Sequence, residues 1–311
     1  MTEKVESSIT GRSMHCCSSQ KKTLSYYDSD FEFSEVLEAG KAFDRDIVAS
    51  LTSEEEIEGK EEEEEYGEVW ETFHTTQGSK FFPRKRYVPL AFPEIGREVK
   101  RKTGSVLALG CGTGSSILAI LKYWDHIEVA CFDVARKAVD IFLSRSKDED
   151  LSSRVLGTEI FDLASDTTEA APPSIMSNVP FDTLTLIFVL SAIHPKHHIR
   201  ALQRARSFGS KGNTLLCFRD YGLYDMTMLR SKHTQVVKSE DDSDSGPPRL
   251  FRRGDRTLRY FFSLEYVRHI FKTAGWKCVR LDYSRVVNKN RRTGQVLKRV
   301  FVTGVFRMEM T

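Results

Sequence analysis

The chain has 311 residues, of which 40% are hydrophobic and 29% charged, a balance that favours one well-buried core with an extension over two domains. No apolar stretch reaches the roughly 20 residues of a membrane helix, and the first residues lack the apolar core of a secretory signal. We therefore expect a protein of the cytosol or nucleus that does not contact a membrane. Six cysteines without a C-x-x-C pair argue against a zinc site or a disulfide framework, so no metal is expected.

The net charge of +2 conceals separate acidic and basic blocks. Acidic residues are concentrated at 54–71, and basic residues at 84–86, 97–102, 249–259 and 285–299. Any one basic block could be solvated surface. Together, outside the predicted core, they favour a phosphate-binding face and hence a nucleic acid as partner.

Residues 1–65 are assigned to an N-terminal extension. Residues 1–47 are rich in serine, have few regularly spaced apolar residues and are predicted to be largely disordered. Residues 54–65 are either a helix or a solvated acidic run. A second segment, 66–100, is predicted to cap the cofactor site of the domain that follows and to contact RNA.

Aromatic residues recur at helical spacing from Tyr66 to His74, which predicts a short helix with one aromatic face. That face could simply pack on the rest of the domain. Residues 80–95 then interleave aromatic residues with prolines and with consecutive bases, and the prolines exclude a continuous helix. Rings for stacking and bases for phosphate suit a single-stranded RNA surface, although a hydrophobic clasp over the core would show the same pattern.

An apolar run at 105–109 ends in Gly110, Gly112 and Gly114 and passes at once into a helix-forming stretch, which predicts strand, tight turn and helix. Glycine permits positive φ and lets a ligand lie against the main chain, although such a turn can also be purely structural. The spacing G-x-G-x-G is typical of S-adenosylmethionine sites, whereas dinucleotide sites have G-x-G-x-x-G. A second buried strand closes on Asp133, where a carboxylate could accept hydrogen bonds from a ribose.

Strands and helices alternate through residues 101–311, which predicts one α/β domain with a mostly parallel sheet covered by helices on both faces. Seven strands with an antiparallel finish describe the Rossmann-like, class I S-adenosylmethionine-dependent methyltransferase fold. The predicted strands are 105–109, 127–133, 154–161, 181–189, 213–219, 278–283 and 298–306. The predicted helices are 115–123, 135–146, 197–208 and 264–274, the last with Ser263 as N-cap and Gly275 as its stop.

Ligands of such sheets bind beyond the carboxyl ends of the strands. Asp162, Leu163 and Ile187 are expected there. Asp162 could accept a hydrogen bond from an adenine amino group while Leu163 and Ile187 flank the ring. A helix or turn cap is the alternative role for Asp162.

Two stretches, LIFVLSAIHP at 186–195 and FRDYGLYDMTMLR at 218–230, closely resemble the methyltransferase-like enzymes that form 3-methylcytidine at position 32 in the anticodon loop of specific transfer RNAs. The resemblance covers about 69–306 and includes VWETFH at 69–74, AFPEI at 91–95 and RGDRTLRYFF at 253–262. It implies a transfer RNA substrate and, for one branch of the family, a helper such as a seryl-tRNA synthetase. It also implies an S-adenosylmethionine site formed by Trp70, His74, Gly110, Asp133, Asp162, Leu163 and Ile187, with Gly112 in the same turn.

Three departures from the family pattern stand out. His74 occupies a position where the family usually has tyrosine. Ala108 replaces an acid that would help to hold the methionine end of the cofactor. Residues 81–87 read FFPRKRY where the family has F-F-K-D-R-H-W.

Neutral cytosine carries a lone pair at N3, so methyl transfer to it needs no general base. The enzyme must supply in-line approach and stabilise the cationic product. Asp220 is predicted to be that anion or a base-orienting acceptor, Arg219 to hold phosphate or the loop, and Tyr221 to stack. Alternatively, Arg219 and Asp220 form a structural pair at a strand end. Phosphate contacts are predicted for Arg84, Lys85, Arg86, Arg252, Arg253 and Arg256.

Two other functions remain open. One is a class I methyltransferase acting on a protein or a small molecule, which the basic blocks and the RDYGLYD stretch disfavour. The other is a catalytically degenerate family member that binds RNA, which Ala108 and the altered residues 81–87 suggest.

Overall fold

The computed structural model describes residues 28–53, 66–78, 85–97, 104–165, 181–210, 212–237, 247–289 and 293–309. Some predictions fall outside these residues. They concern residues 1–27 and 54–65 of the N-terminal extension and the phosphate contact of Arg84. Within the described residues, no helix is both long and apolar enough to cross a membrane.

A seven-stranded sheet with the order β3-β2-β1-β4-β5-β9-β8 organises the domain. The strands β1 to β5 run parallel to one another, whereas β9 is antiparallel to both β5 and β8, which confirms the predicted fold and its antiparallel finish. A separate antiparallel hairpin consists of β6 (Leu250–Arg252) and β7 (Leu258–Tyr260). The strands of the main sheet are β1 (Gly104–Leu109), β2 (Ile127–Asp133), β3 (Val155–Ile160), β4 (Thr183–Ile187), β5 (Leu215–Tyr221), β8 (Trp276–Lys289) and β9 (Val296–Met308).

Helices cover both faces of the sheet. Alternation along β1 sends Leu107 and Leu109 into one apolar cluster and Val106 and Ala108 into the other. The first cluster lies under α7 and α9, and the second under α3, α5 and α6. The helices are α1 (Ser34–Ser53), α2 (Tyr66–Gln77), α3 (Val88–Ala91), α4 (Glu94–Arg97), α5 (Ile117–Tyr123), α6 (Arg136–Asp148), α7 (His198–Arg206), α8 (Met226–Leu229) and α9 (Leu264–Thr273).

The ends of α9 are as predicted. The Ser263 hydroxyl accepts a hydrogen bond from the Tyr266 backbone N–H at 3.1 Å, which caps the first turn. Gly275 follows the helix at φ +81°, the left-handed conformation that commonly ends helices.

The prediction of disorder through residue 47 is wrong for helix α1. Phe31, Val36 and Ile47 are buried in a third apolar cluster formed with side chains of α8 and the β6–β7 hairpin. The Asp44 carboxylate accepts a hydrogen bond from the Tyr224 hydroxyl at 2.8 Å and pairs with both terminal nitrogens of Arg249 at 2.7 and 3.1 Å. These contacts make the segment part of the folded domain.

His198, the first residue of α7, joins this helix to the cavity wall and to α9. Its ring is fully buried and lies 2.9 Å from the Ile193 carbonyl oxygen and 3.0 Å from the Tyr266 hydroxyl. Since a carbonyl only accepts, Nε2 carries the proton and Nδ1 accepts from the tyrosine. Burial lowers the pKa of His198 to about 3, so the ring stays neutral in the folded protein.

Replacing His198 with glutamine is expected to cost about 1 to 3 kcal/mol of unfolding free energy at pH 7.5. Below about pH 6.5, His198 is protonated in the unfolded chain but not in the folded protein. The unfolding free energy of the wild type therefore falls by about 1.4 kcal/mol for each pH unit, and the variant, which lacks this group, does not show that fall. The difference between the two proteins should therefore nearly close by about pH 5. Urea denaturation at several pH values measures this, with the exposed His126→Gln as the matched control. A gap that stays constant with pH contradicts the prediction.

Candidate active site

A cavity of about 930 Å³, counting its open mouth, lies beyond the carboxyl ends of β1 to β4. It collects residues from the glycine turn, from α2 and from the segments that follow β2, β3 and β4. All the predicted cofactor residues line it, namely Trp70, His74, Gly110, Gly112, Asp133, Asp162, Leu163 and Ile187. Thr113 and Phe188 also line it, as does Lys85, which was predicted to contact phosphate instead.

The glycine turn adopts positive φ at Gly110, Gly112 and Gly114, with values of 78°, 51° and 80°. A Cβ atom on Gly114 would overlap the ring of Phe142 in α6, whereas one on Gly112 would meet no atom within 4 Å. Gly114 is therefore required for packing. Gly112 keeps open the space in which a ligand can approach the backbone.

The Asp133 carboxylate ties the glycine turn to the end of β2. It accepts hydrogen bonds from the Gly112 backbone N–H at 2.7 Å and from the Ala135 N–H at 3.0 Å. Burial raises its pKa to about 6, so the group is mostly ionised at neutral pH. Each carboxylate oxygen has two lone-pair sites, which leaves capacity to accept from a ribose in the cavity.

Helix α2 forms an aromatic wall of the cavity, and one of its rings packs on the domain. Phe73 is buried and meets Trp70 and His74 edge-on, with centroids 5.2 and 5.3 Å away. Burial lowers the pKa of His74 to about 4, so this wall carries no charge at neutral pH. The Lys137 backbone N–H donates to Glu71 at 3.0 Å and anchors the helix to α6.

Asp162 follows β3 and forms a local turn, in which its carboxylate accepts from the Ala164 N–H at 2.8 Å. The alternative role of a turn cap is therefore present, in a residue that also lines the cavity. Leu163 and Ile187 are buried apolar residues that also line the cavity. Ala108, in contrast, lies in the core cluster beneath α5, so β1 presents a methyl group there instead of a carboxylate.

Arg219 is buried within the sheet and is not placed to contact phosphate. One guanidinium nitrogen donates to Ser284 Oγ at 2.9 Å and to Thr303 Oγ1 at 2.6 Å. Its guanidinium carbon lies 4.7 Å from the centroid of the Tyr87 ring and 4.6 Å from that of Phe301. Of the two predicted roles, this geometry favours holding the loop over holding phosphate.

Asp220 has no exposed surface and does not line the cavity, so the structure does not support its prediction as a direct base-orienting acceptor. Its carboxylate accepts from the Ser191 N–H at 3.0 Å and from the Tyr221 N–H at 2.9 Å. Burial raises its pKa to about 6. The Tyr221 ring lies 5.0 Å from that of Phe188 and is covered at 4.6 Å by the Arg259 guanidinium.

Several basic residues of the predicted phosphate-binding blocks are paired with acids. Arg249 pairs with Asp44 of α1, Arg285 with Glu32 at 3.1 Å, Lys298 with Glu35 at 2.8 Å, and Arg299 with Asp225 at 2.8 Å. Three of these acids, Asp44, Glu32 and Glu35, belong to the N-terminal extension. Its docking therefore reduces the positive charge that these blocks present.

The structure describes five other predicted phosphate contacts, of which Arg253 is likewise paired with an acid, Asp255, at 3.0 Å. Lys85 lines the cavity, which places it apart from the exposed Arg86. Arg252, Arg253 and Arg256 belong to the β6–β7 hairpin, and the Arg253 guanidinium lies 5.8 Å from the Phe73 ring, so the hairpin sits beside α2. The described residues contain no group of three or more histidine, cysteine or acidic side chains arranged to hold a metal.

Comparison with known proteins identifies relatives of this chain. A family profile described as a methyltransferase domain matches residues 82–281. The chain is 30% identical to the tRNA N(3)-methylcytidine methyltransferase Mettl2 of Drosophila melanogaster, over 84% of this chain and 77% of that protein. It is 27% identical to the tRNA N(3)-cytidine methyltransferase METTL6 of Homo sapiens, over 82% of this chain and 89% of the relative.

Two further comparisons are less informative about function. O-methyltransferase 3 of Dictyostelium discoideum is 34% identical, but the match covers 65% of this chain and only 43% of that protein. The structure of an S-adenosylmethionine-dependent methyltransferase from Anabaena variabilis aligns over 79% of this chain and 96% of its own, with a TM-score of 0.55 and 12% identity. At that identity the likeness establishes the fold alone.

Proposed function

The chain belongs to the family of tRNA N(3)-methylcytidine methyltransferases, and on that premise we propose that it transfers a methyl group from S-adenosylmethionine to N3 of a cytidine in transfer RNA. The observation that carries the proposal is the convergence of all the predicted cofactor residues on one cavity at the carboxyl edge of the sheet. Those residues come from separate segments of the chain, and the fold brings them together.

The cavity fits the cofactor in three respects. The open space at Gly112 admits a ligand against the backbone, and Asp133 beside it can accept from ribose hydroxyls. Leu163 and Ile187 provide an apolar wall for adenine. The neutral ring of His74 adds no positive charge that would repel a sulfonium. When bound, S-adenosylmethionine supplies an electrophilic methyl group with a good leaving group.

The protein's own contribution is positioning and electrostatics. Cytosine N3 is already nucleophilic, so the residues around it need to fix the ring and exclude water. Asp220 lies buried behind the cavity wall, where an ionised carboxylate favours a cationic product ring without touching it.

The finer proposal is that the target lies in the anticodon loop, at nucleotide 32 of specific transfer RNAs. A single-stranded loop can turn a base outward at low cost, and a base must leave its stack to enter an enclosed cavity. Arg86, Arg252, Arg253 and Arg256, which lie outside the cavity lining, are proposed to hold the phosphates on either side.

The test is methylation of total transfer RNA by the purified full-length chain with isotopically labelled cofactor, followed by identification of the labelled nucleoside. Labelled 3-methylcytidine is the expected product. Label in protein or in a small molecule would instead support the other methyltransferase function. Cofactor binding without any transfer would indicate a catalytically degenerate member of the family.

Replacing Arg252, Arg253 and Arg256 together with alanine is expected to weaken transfer RNA binding and to flatten its dependence on salt. Each lost phosphate contact lowers the magnitude of the slope of log K against log salt by about 0.7 to 0.9, so three lost contacts should lower it by about 2 to 3. Filter binding at several salt concentrations measures the slope, and calorimetry should show unchanged cofactor affinity. The control replaces Arg268, Lys272 and Lys277, exposed bases of α9 and β8. A slope equal to that of the wild type contradicts the prediction.

Two further parts of the proposal concern the cellular setting. A seryl-tRNA synthetase is proposed as a helper, in which case adding it should raise the methylation rate of serine transfer RNA above that of other transfer RNAs. The protein is proposed to act in the cytoplasm, with the nucleus as the alternative, and imaging of the tagged full-length chain can test this.

A further inference from the structure

The cavity has two halves that the strand order separates. β1 lies between β2 and β4 in the sheet. The glycine turn, Asp133 and Asp162 follow β1, β2 and β3 and form the half that fits the cofactor. Phe188 to Ile193 follow β4 on the other side, and Lys85 lines the cavity with them. This second part, the acceptor half, is what remains for the ring that receives the methyl group.

Lys85 is held at the cavity by its backbone, next to the glycine turn, and extends its side chain to Phe188 of the acceptor half. Its backbone N–H donates to the Ser115 carbonyl oxygen at 2.9 Å, which fixes the residue beside the glycine turn. Its ammonium nitrogen lies 4.4 Å from the centroid of the Phe188 ring. Tyr87, two residues on, stacks against the buried Arg219 guanidinium and steadies the segment.

Phe188 has a backbone conformation that is unfavourable for a large aromatic residue. Its φ is +60°, and its N–H donates to the Arg219 carbonyl oxygen at 2.8 Å. Strain of this kind persists where the surroundings enforce it, and it is concentrated at functional sites. In this conformation the Phe188 ring lies at the cavity wall, next to the Lys85 ammonium.

We infer that Lys85 is a specificity-determining residue: its ammonium donates a hydrogen bond to the O2 carbonyl of the acceptor ring beside Phe188, and so selects cytosine over adenine. This inference rests on the proposed function. Cytosine and adenine both present a ring nitrogen with a lone pair next to an amino group. On the other side of that nitrogen, cytosine has a carbonyl oxygen and adenine has only C–H. An ammonium in this half of the cavity finds an acceptor on cytosine and none on adenine, which penalises the wrong ring.

The test compares Lys85→Met, which keeps length and removes the donor, with Lys85→Arg, which keeps a donor. Substrates are a transfer RNA transcript with its target cytidine and the same transcript with adenosine there. In Lys85→Met, kcat/KM on cytidine should fall about 10- to 100-fold, the effect of one charged hydrogen bond. The ratio of adenosine to cytidine methylation should rise by a similar factor. Cofactor binding by calorimetry should be retained, and exposed Lys272→Met should match the wild type.

The outcomes separate this inference from the proposed function. A wild type that methylates no cytidine overturns the proposed function and this inference with it. A wild type that is active on cytidine, with a Lys85→Met variant that keeps the same ratio between the two bases, overturns this inference alone. An equal loss of kcat/KM on the cytidine and adenosine transcripts would mean that Lys85 has only a structural role, which also overturns this inference.

The pH profile gives an independent readout. The pKa of Lys85 is lowered to about 8, chiefly by burial. The negative charge of Asp220 raises this pKa, and the positive charge of Arg219 lowers it further. Wild-type turnover should therefore fall as pH rises through about 8, and Lys85→Arg should remove that fall because its guanidinium stays protonated. An identical alkaline fall in Lys85→Arg overturns the inference. Other titratable side chains that line the cavity are Tyr66, His74, Cys111, Asp133 and Asp162. Of these, His74 and Asp133 have pKa values of about 4 and about 6, too low to cause that fall.

Discussion

Alanine at Gly114 is expected to lower the free energy of unfolding by about 2 to 5 kcal/mol, whereas alanine at Gly112 should cost only about 1 to 2 kcal/mol. Both positions have positive φ, so both variants bear the same backbone strain. Only at Gly114 does the added Cβ also overlap the Phe142 ring in the core. At Gly112 the Cβ projects into open space within the cavity, so the loss there should appear in cofactor affinity.

Urea denaturation and calorimetry with S-adenosylmethionine separate these two effects. Gly294→Ala is the matched control, because Gly294 has φ +70° and open space around its Cβ position but lies in the turn between β8 and β9. It should lose about 1 to 2 kcal/mol of stability and no cofactor affinity. Unchanged affinity in Gly112→Ala would show that the cofactor does not lie against this turn. Equal stability of the Gly114 and Gly294 variants would contradict the packing role.

The central strands and the cofactor half of the cavity could be predicted because their signals are local. A strand buried on both faces leaves a continuous apolar run, and β2 was predicted with its observed bounds, Ile127–Asp133. Parallel strands then place their carboxyl ends at one edge, so Asp133 and Asp162 had to lie near the glycine turn. These inferences required no knowledge of distant contacts.

The predicted end of β5 is wrong by two residues. The prediction ended this strand at Arg219, but antiparallel pairing with β9 carries it on to Tyr221, opposite Phe301. Continued pairing draws Arg219 and Asp220 into the interior, where one guanidinium nitrogen donates to two hydroxyl groups and the carboxylate accepts from two backbone N–H groups. The hydroxyl partners of Arg219 lie more than 60 residues away along the chain, so no local sequence pattern predicts them.

Helix α1 was missed although its spacing is helical. Val36, Phe43, Ile47 and Leu51 are separated by seven, four and four residues, but glycine stands at position 40, where an apolar side chain would complete the stripe. A Cβ there would overlap the Tyr224 ring, so this glycine marks a close approach of helix and ring. Similarly, the run of bases at 84–86 gave no indication that Lys85 would line the cavity while the exposed Arg86 would not.

Replacing Asp220 with asparagine is expected to lower the rate of methyl transfer by about 100-fold while leaving cofactor affinity unchanged. Removing one preorganised group that stabilises developing charge typically has an effect of this size. Asparagine keeps the shape and one acceptor oxygen but loses the negative charge beside the acceptor half. The affinity should be unaffected because Asp220 does not line the cavity.

The pH dependence of this variant tests whether the charge, and not the packing, is responsible. Because burial raises the pKa of Asp220 to about 6, wild-type turnover should fall as pH drops through that value, and Asp220→Asn should be slow and show no such fall. Acid unfolding caused by protonation of Asp220 cannot account for this fall in turnover. A folded pKa above the unfolded value means that protonating Asp220 stabilises the fold as pH falls. Asp133 has a pKa of about 6 as well, so single-turnover rates are measured at pH 5 to 8 with cofactor saturating at every pH, which removes its effect on cofactor binding. If Asp220→Asn retains the acid fall of the wild type, another group causes it and the electrostatic role of Asp220 is wrong.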